Sequence, residues 1–267
     1  MKLKIMLAVV AMFASITNAS YAARGTDGNV SIVYWQAPSI LNPYLSSGTK
    51  DIESASLVIE PLGRYTETGA LVPFLAKEIP TVANGGVSPD LTSITWTLQE
   101  GLLWSDGTPV TSADVKFSAD YCMHPEGGCS QLAKFDGIKS ISIPDDLTIV
   151  VTFEGPMPNP YGPFMGGQTP IIQKAQFENC LGPKAQQCTE QNFNPIGTGP
   201  FVVTEFRPND VIQYKANQNY RDPNKPAFAT LTFKGGGDAT AAGRSVLETG
   251  EFDYAWNLQL APEVIAN

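Results

Sequence analysis

Two pairs of neighbouring aromatic and amide residues give the clearest chemical signal in this sequence. Trp35-Gln36 ends a run of alternating apolar and polar residues near the start of the chain, and Trp256-Asn257 ends a second run near its close. Indole rings supply apolar walls and amides supply placed hydrogen-bonding groups, a combination typical of small-molecule pockets. Because sites in open α/β sheets lie beyond the carboxyl ends of strands, we expect both pairs to contribute to one site. Packing of the tryptophans in the core is the alternative.

The cysteines indicate a second kind of chemistry. Cys122, Cys129, Cys180 and Cys188 form two close pairs along the chain. Four cysteines allow three disulfide connectivities, and a four-cysteine zinc site is a further alternative. The spacings are wider than the roughly two to four residues usual within zinc-binding pairs. Both segments are rich in Gly, Pro and polar residues that can bend the chain, which favours Cys122–Cys129 and Cys180–Cys188 disulfides.

Residues that could perform catalysis are few. The single histidine, His124, lies beside a predicted disulfide loop, where a solvated side chain is the simpler interpretation. Adjacent carboxylates at Asp145-Asp146 point apart, and a turn explains them. The glycines at 235–237 superficially resemble a phosphate loop but lack its Gly-Lys pair, so we interpret them as a flexible turn before a helix. The sequence therefore predicts no catalytic residue, no metal ligand and no cofactor.

Charge and the N-terminal segment restrict the class of protein. With 26 acidic residues against 17 Lys and Arg, nucleic acid is not expected as a partner, since phosphate binding depends on basic side chains. Lys2 and Lys4 precede an apolar run, Ile5–Ile16, and then Ser20-Tyr21-Ala22. This order predicts a secretory signal peptide of residues 1–22, cut after Ala22. The run is shorter than the ~20 apolar residues that a membrane span needs, so we expect a soluble exported chain.

Strands in hairpins and a few capped helices must position these residues. Alternation predicts strands over Asn29–Gln36, Leu91–Gln99, Gly137–Glu154 (two strands), Gly199–Ala216 (two strands), Ala229–Lys234 and Phe252–Leu258. Capping patterns predict helices over Ser112–Met123 and Ala241–Thr249, and weaker patterns favour Asp51–Glu60 and Pro170–Cys180. Without a strict βαβ rhythm, the chain is α+β, or an α/β lobe with a β-rich insertion.

One segment resembles a known family. Trp96–Tyr121, WTLQEGLLWSDGTPVTSADVKFSADY, is similar to the signature of the type-5 bacterial extracytoplasmic solute-binding proteins, the oligopeptide- and dipeptide-binding receptors of ABC importers. Three further blocks agree in the family's order: Ile59–Glu78, Asn194–Tyr220 and Leu247–Asp253. The resemblance implies an α/β (mixed α+β) fold with a periplasmic-binding-protein-like type II lobe and an inserted smaller β-rich lobe.

The resemblance also implies a division of the chain. The large lobe I would comprise residues 23–58 and 180–267, and the small lobe II residues 59–179. Family members are about twice this long, and the third lobe, which closes over the ligand, has no counterpart here. We therefore expect the chain to be a fragment of a longer protein, and the alternative is that the rest of the protein is encoded separately.

The implied function is binding without catalysis. A periplasmic, monomeric receptor would bind a peptide or another small solute and deliver it to ABC permease subunits in the inner membrane. The resemblance places ligand contacts at Trp35, Gln36, Ala37, Gln168, Trp256, Asn257 and Leu258. The identity of the solute, whether a peptide, a nickel complex or haem, stays open. The alternatives are a secreted hydrolase that uses paired carboxylates and a truncated scaffold that binds only protein partners.

Overall fold

The computed structural model describes residues 23–235, 237–256, 260 and 262. The predicted signal peptide and two predicted site residues, Asn257 and Leu258, lie outside the described residues.

The strands are β1 (Asn29–Tyr34), β2 (Gly63–Tyr65), β3 (Leu71–Pro73), β4 (Ser93–Thr97), β5 (Ile138–Ser142), β6 (Thr148–Phe153), β7 (Phe201–Arg207), β8 (Val211–Ala216), β9 (Thr230–Gly235) and β10 (Tyr254–Ala255). The α-helices are α1 (Thr49–Ala55), α2 (Ser112–Met123), α3 (Lys174–Phe177), α4 (Thr189–Phe193) and α5 (Ala239–Leu247). Short 3-10 helices occupy Pro43–Leu45, Leu132–Phe135 and Gly182–Gln187.

A five-stranded sheet joins the two ends of the chain. Its strand order is β10-β1-β9-β8-β7, with β1 parallel to both of its neighbours and β8 antiparallel to β7 and β9. Since β1, β9 and β10 run in the same direction, their carboxyl ends meet at one edge of the sheet. The sheet therefore brings the residues after β1 close to those after β10.

The middle of the chain forms two smaller antiparallel sheets. Strands β2 and β3 pair with each other, and a second sheet has the order β4-β6-β5. In β4 and β6 alternate residues are buried, including Ile94, Trp96, Ile149 and Val151. This alternation is what the sequence predicts for half-buried strands. Together with the five-stranded sheet and the helices, these sheets make a mixed α/β fold.

Helix α2 has the predicted bounds, and its capping box is present. The backbone N–H of Thr111 donates to Oδ2 of Asp114 over 2.9 Å. One face of the helix is buried, with Val115 and Ala119 fully inaccessible to solvent. The side chains of the first turn thus satisfy a backbone donor that the helix start leaves unpaired.

Helix α1 is shorter than the prediction of Asp51–Glu60. Beyond Ala55 the chain pairs with the start of β7 and the residue Gly199 before it: Leu57 O accepts from Phe201 N over 3.1 Å, and Val58 O accepts from Gly199 N over 2.7 Å. The carbonyls that follow α1 are thus satisfied by a distant segment.

The prediction of a helix over Pro170–Cys180 is largely wrong, since only α3, a single turn, is helical there. Residues before α3 donate outside any helix, Ile171 N to Glu60 O over 2.9 Å and Ile172 N to Ser118 Oγ over 2.9 Å. These long-range bonds hold the segment extended across α2.

Other element boundaries also differ from expectation. Strand β1 ends at Tyr34, two residues early, and the described part of the last strand is only Tyr254–Ala255. Helix α5 begins before Ala241 because the Asp238 side chain accepts from the Ala241 N–H over 2.8 Å and caps the helix. An aspartate N-cap satisfies a backbone donor of the first turn.

Both local disulfides are confirmed. Cys122 pairs with Cys129 and Cys180 pairs with Cys188, with S–S distances of 2.03 and 2.08 Å. His124 lies in a loop as predicted, and its half-buried side chain also contacts the second disulfide loop. A Cβ placed on Gly182 would lie 2.6 Å from His124 Cε1. The histidine therefore packs the two loops together.

Across residues 23–235 and 237–256, with positions 260 and 262, no helix has the length and apolar character that crossing a membrane requires. The same described positions contain no cluster of three or more His, Cys, Asp or Glu residues suited to a metal ion.

Candidate functional site

The strand-end site, as we call it, is the edge of the five-stranded sheet formed by Tyr34, Trp35 and Trp256. The Trp256 N–H donates to Val33 O over 3.1 Å, continuing the pairing of β10 with β1. Trp35 follows β1 and is 42% exposed, whereas Trp256 is half-buried. The structure thus brings both predicted tryptophans to one edge, and neither is sealed in the core.

The ring that meets Trp256 belongs to Tyr34 and not to Trp35. The two rings are stacked, with centroids 5.3 Å apart and planes 15° from parallel. Tyr34 also packs against Phe233, with centroids 4.4 Å apart. Successive residues of a strand face opposite ways, so Tyr34 takes the inner position and leaves Trp35 outside. Stacking of this kind adds about 0.5–1.5 kcal/mol beyond simple burial.

Tyr34 connects the sheet to helix α1. Its hydroxyl donates a hydrogen bond to the carboxylate of Glu53, which is exposed. Burial, and then this bond and the negative charge of Glu53, raise the pKa of Tyr34 above its usual range. The hydroxyl therefore remains a donor and orients the carboxylate at the strand-end site.

The loop after β1 is held in place by β9. Gln36 is exposed and Ala37 is half-buried. A Cβ placed on Gly235 would lie 2.2 Å from the Ala37 Cβ, so only glycine allows this approach. The first glycine of the 235–237 segment is thus needed for packing, and the interpretation as a merely flexible turn is wrong for that position.

A buried carboxylate fixes the same loop to α1. Asp51 is 2% exposed and accepts hydrogen bonds from Ser39 N and Ser46 Oγ, both over 2.7 Å, and from Lys50 Nζ over 2.9 Å. Burial alone would raise the pKa of Asp51, but the bonds from Lys50, Ser39 and Ser46 outweigh it and lower the pKa. The ionised carboxylate therefore holds the backbone that follows the strand-end site.

An open depression lies on the other side of Glu53. It has a volume of about 480 Å³ and is lined by Ile52, Glu53, Ser56, Leu57, Arg64, Tyr65, Gly166 and Gly167. Gly167 passes so close to α1 that a Cβ there would lie 2.4 Å from Ser56 Oγ. The predicted contact residue Gln168 follows directly and is exposed. Glu53 thus joins the depression to the strand-end site.

Sequence reasoning missed the residues that connect these parts: Tyr34, Glu53, Arg64 and Tyr65. A signal was present for two of them. Tyr34 directly precedes Trp35, and Arg64 lies within the Ile59–Glu78 block that resembles the family. Glu53 had no such signal, because only the fold places α1 against the end of β1. The role of the predicted contact residues in binding stays a prediction.

Comparison with known proteins identifies the family. A family model described as "Bacterial extracellular solute-binding proteins, family 5 Middle" matches residues 70–265. The chain belongs to this family. Its members are solute-binding proteins that act outside the cytoplasm, and the family prediction is confirmed.

Family 5 relatives show how much of such a protein this chain represents. It is 31% identical over 211 residues to Protein XP55 of Streptomyces lividans, which covers 78% of this chain and 36% of XP55. It is 25% identical over 170 residues to the glutathione-binding protein GsiB of Shigella boydii, covering 64% of this chain and 32% of GsiB. The chain thus spans about a third of the length of these curated relatives.

A solved structure confirms the fold class. The ABC transporter substrate-binding protein CtaP of Listeria monocytogenes matches with a TM-score of 0.72 and 26% identity. The match covers 86% of this chain and 44% of CtaP. The mixed α/β fold described above is therefore that of a family 5 solute-binding protein.

Proposed function

We propose that this chain forms part of a periplasmic receptor that binds a peptide or similar small solute and delivers it to an ABC permease. The observation that carries the proposal is the strand-end site, where the exposed Trp35 adjoins the Tyr34–Trp256 stack. The Tyr34 hydroxyl links this stack to Glu53, which lines the depression. The names of GsiB and CtaP support a peptide-like solute and an ABC importer. Asn257 and Leu258 are proposed as further contacts from the sequence alone, and export by cleavage after Ala22 is part of the same proposal.

The composition of the site favours binding over hydrolysis. A hydrolase that uses acidic residues needs two carboxyl groups facing one substrate. The described lining of the depression contains one carboxylate, Glu53, together with one guanidinium, Arg64. Aromatic walls and a few charged groups suit non-covalent recognition, in which a ligand shifts the population of the receptor towards a closed state. The lobe division at residues 58–59 and 179–180 and the monomeric state stay predictions.

Titration calorimetry on the intact gene product tests the proposal. The probes are glutathione and pooled peptides of two to nine residues. We expect saturable binding with a negative heat-capacity change, because apolar surface at the site becomes buried. Absence of binding to every probe, from a protein whose circular dichroism shows it folded, would overturn the proposal. Cleavage of the peptides would favour the hydrolase instead.

A matched pair of variants locates the binding. Trp35→Ala removes an exposed ring from the strand-end site. Phe228→Ala removes a ring that is 37% exposed and lies just before β9, at the end of the sheet opposite to the strand-end site. Binding that weakens only in Trp35→Ala supports the strand-end site. Equal effects of both variants would contradict this location.

A further inference from the structure

Arg64 has an unusual environment for an arginine within a protein wall. Its guanidinium lies 4.3 Å from the centre of the Phe74 ring, and Nη2 donates weakly to Ser56 O over 3.3 Å. The Nε atom is buried and has no hydrogen-bond partner in the part of the chain that the structure describes. Among the described residues, no carboxylate oxygen lies within 4.0 Å of this guanidinium. Arg64 therefore has an unused hydrogen-bond donor and a positive charge that no described carboxylate pairs with.

A neighbouring arginine, Arg221, contacts the same Phe74 ring and has a carboxylate partner. Arg221 packs against the same Phe74 ring, 5.5 Å from its centre, but donates to both oxygens of Glu60 over 2.5 and 3.1 Å. Glu60 is 1% exposed, and its Oε2 also accepts from Thr198 Oγ1 over 3.1 Å. The one buried carboxylate of this cluster is thus committed to Arg221, and the cluster retains a net positive charge.

Arg64, which carries the charge that Glu60 leaves unpaired, is one of the residues that line the depression. Burial lowers the pKa of Arg64, and Glu60 opposes this change only in part. A half-buried guanidinium without an anion is costly, and a carboxylate offers it the planar, two-oxygen partner that its fork of donors matches. The depression has room for such a group at Gly166, where a Cβ would meet nothing within 4 Å.

We propose that Arg64 binds a carboxylate of the ligand that enters this depression. The inference rests on the proposed function and makes it more specific, because the solute must carry a carboxylate that can reach Arg64 in the depression beside α1. Glu53 lines the same depression, so a ligand with a positive group at one position and a carboxylate at another fits the charges of both walls. The carboxylate can come from a peptide C terminus or from an acidic side chain.

Three synthetic pools of di- to pentapeptides distinguish the sources. The first contains neutral peptides with free C termini, the second the same peptides as C-terminal amides, and the third amidated peptides with one aspartate. Calorimetry with the intact gene product should show binding of the first pool about ten- to a hundredfold tighter than that of the second, as expected for a charge-assisted contact. Tight binding of the third pool alone assigns the carboxylate to a side chain.

Variants connect the effect to Arg64. Arg64→Gln should remove the difference between acid and amide pools, and Arg64→Lys should restore part of it. Arg207→Gln is the control, because Arg207 is exposed and already paired with Glu205 and Asp210. Thermal unfolding monitors whether each variant folds, and the comparison of pools on the wild-type protein needs no variant.

The outcomes separate the two proposals. If no pool binds, the proposed peptide-binding function fails. If all pools bind equally, or if Arg64→Gln keeps the preference for carboxylates, the function stands and the role of Arg64 is overturned.

Discussion

Two regions of this molecule place an arginine against Phe74, and they use it in opposite ways. The Glu60 junction comprises Glu60, Arg221 and the Gly197–Gly199 segment with Thr198. Its guanidinium and carboxylate are paired, and the carboxylate is buried. In the depression, Glu53 is exposed and Arg64 has no ionic partner among the described residues. The difference shows that paired charge holds the architecture together here, whereas unpaired charge is left facing the open surface.

The packing of the two regions differs in the same way. A Cβ on Gly197 would lie 1.8 Å from Val58 O, and one on Gly199 would lie 2.7 Å from Leu57 O. At the depression, Gly166 has open space and Tyr65 is 51% exposed. The junction therefore tolerates no added atoms, while the depression has room for a ligand.

The largest expected effect comes from breaking the buried ion pair. Glu60→Ala leaves Arg221 without its carboxylate, and we expect a loss of about 3–5 kcal/mol in the free energy of unfolding. Urea denaturation of the intact gene product measures it. Glu53→Gln is the matched control, because the exposed amide still accepts from Tyr34, and its change should stay within about 0.5 kcal/mol. Similar losses of stability in both variants would contradict the difference between the Glu60 junction and the depression.

Added volume at the junction should have the next largest effect. Gly197→Ala forces a methyl group against the Val58 carbonyl, and we expect destabilisation of about 3 kcal/mol, at the upper end of the range for overpacking. Gly155→Ala serves as control, since a Cβ there meets nothing within 4 Å. Equal melting temperatures for the two variants would contradict the close packing described here.

The buried Asp51 predicts a dependence of stability on pH. Because its pKa in the folded protein is lowered, its contribution is complete above the unfolded pKa of about 4 and is lost as the pH falls through the folded pKa. Asp51→Asn should cost about 1–2 kcal/mol at pH 7 and flatten the acid limb of the stability profile. A profile parallel to that of the wild-type protein between pH 2 and about 5 would rule out this role.

The smallest effect on stability is expected at the strand-end site. Trp35→Ala removes an exposed ring, so the free energy of unfolding should change by no more than about 0.5 kcal/mol, while ligand affinity falls about two- to tenfold. Calorimetry and thermal unfolding of the same samples separate the two quantities. A large loss of stability with unchanged affinity would assign Trp35 to the core.

Local patterns predicted most elements correctly. The capping box at Thr111 and the alternation in β4 and β6 depend on neighbours in sequence, and the structure contains both. Local pairing of the cysteines likewise followed from segments that bend the chain back. Errors occurred where distant segments supply the partners: beyond Ala55 the carbonyls of Leu57 and Val58 pair with Phe201 and Gly199, and the predicted helix does not continue.

The candidate site was predictable only in part. The position of Trp35 and Trp256 after alternating runs placed them at strand ends, and the parallel pairing of β1 with β10 brings them to one edge. Which ring Trp256 stacks on depends on register, and the contact between Tyr34 and Glu53 depends on where α1 packs. Neither follows from spacing along the chain.

By itself, the amino-acid sequence identified the family through four ordered motif blocks and favoured the local disulfides. It also predicted the class of the fold, because periodicity and capping act over short distances. Only the tertiary structure decided that Glu60 pairs with Arg221 and that Arg64, which lines the same depression as Glu53, has no ionic partner among the residues described. Those partners are separated by up to 161 positions along the chain. Charge pairing at such separation is set by packing, since the side chains meet only after the sheets and helices have assembled.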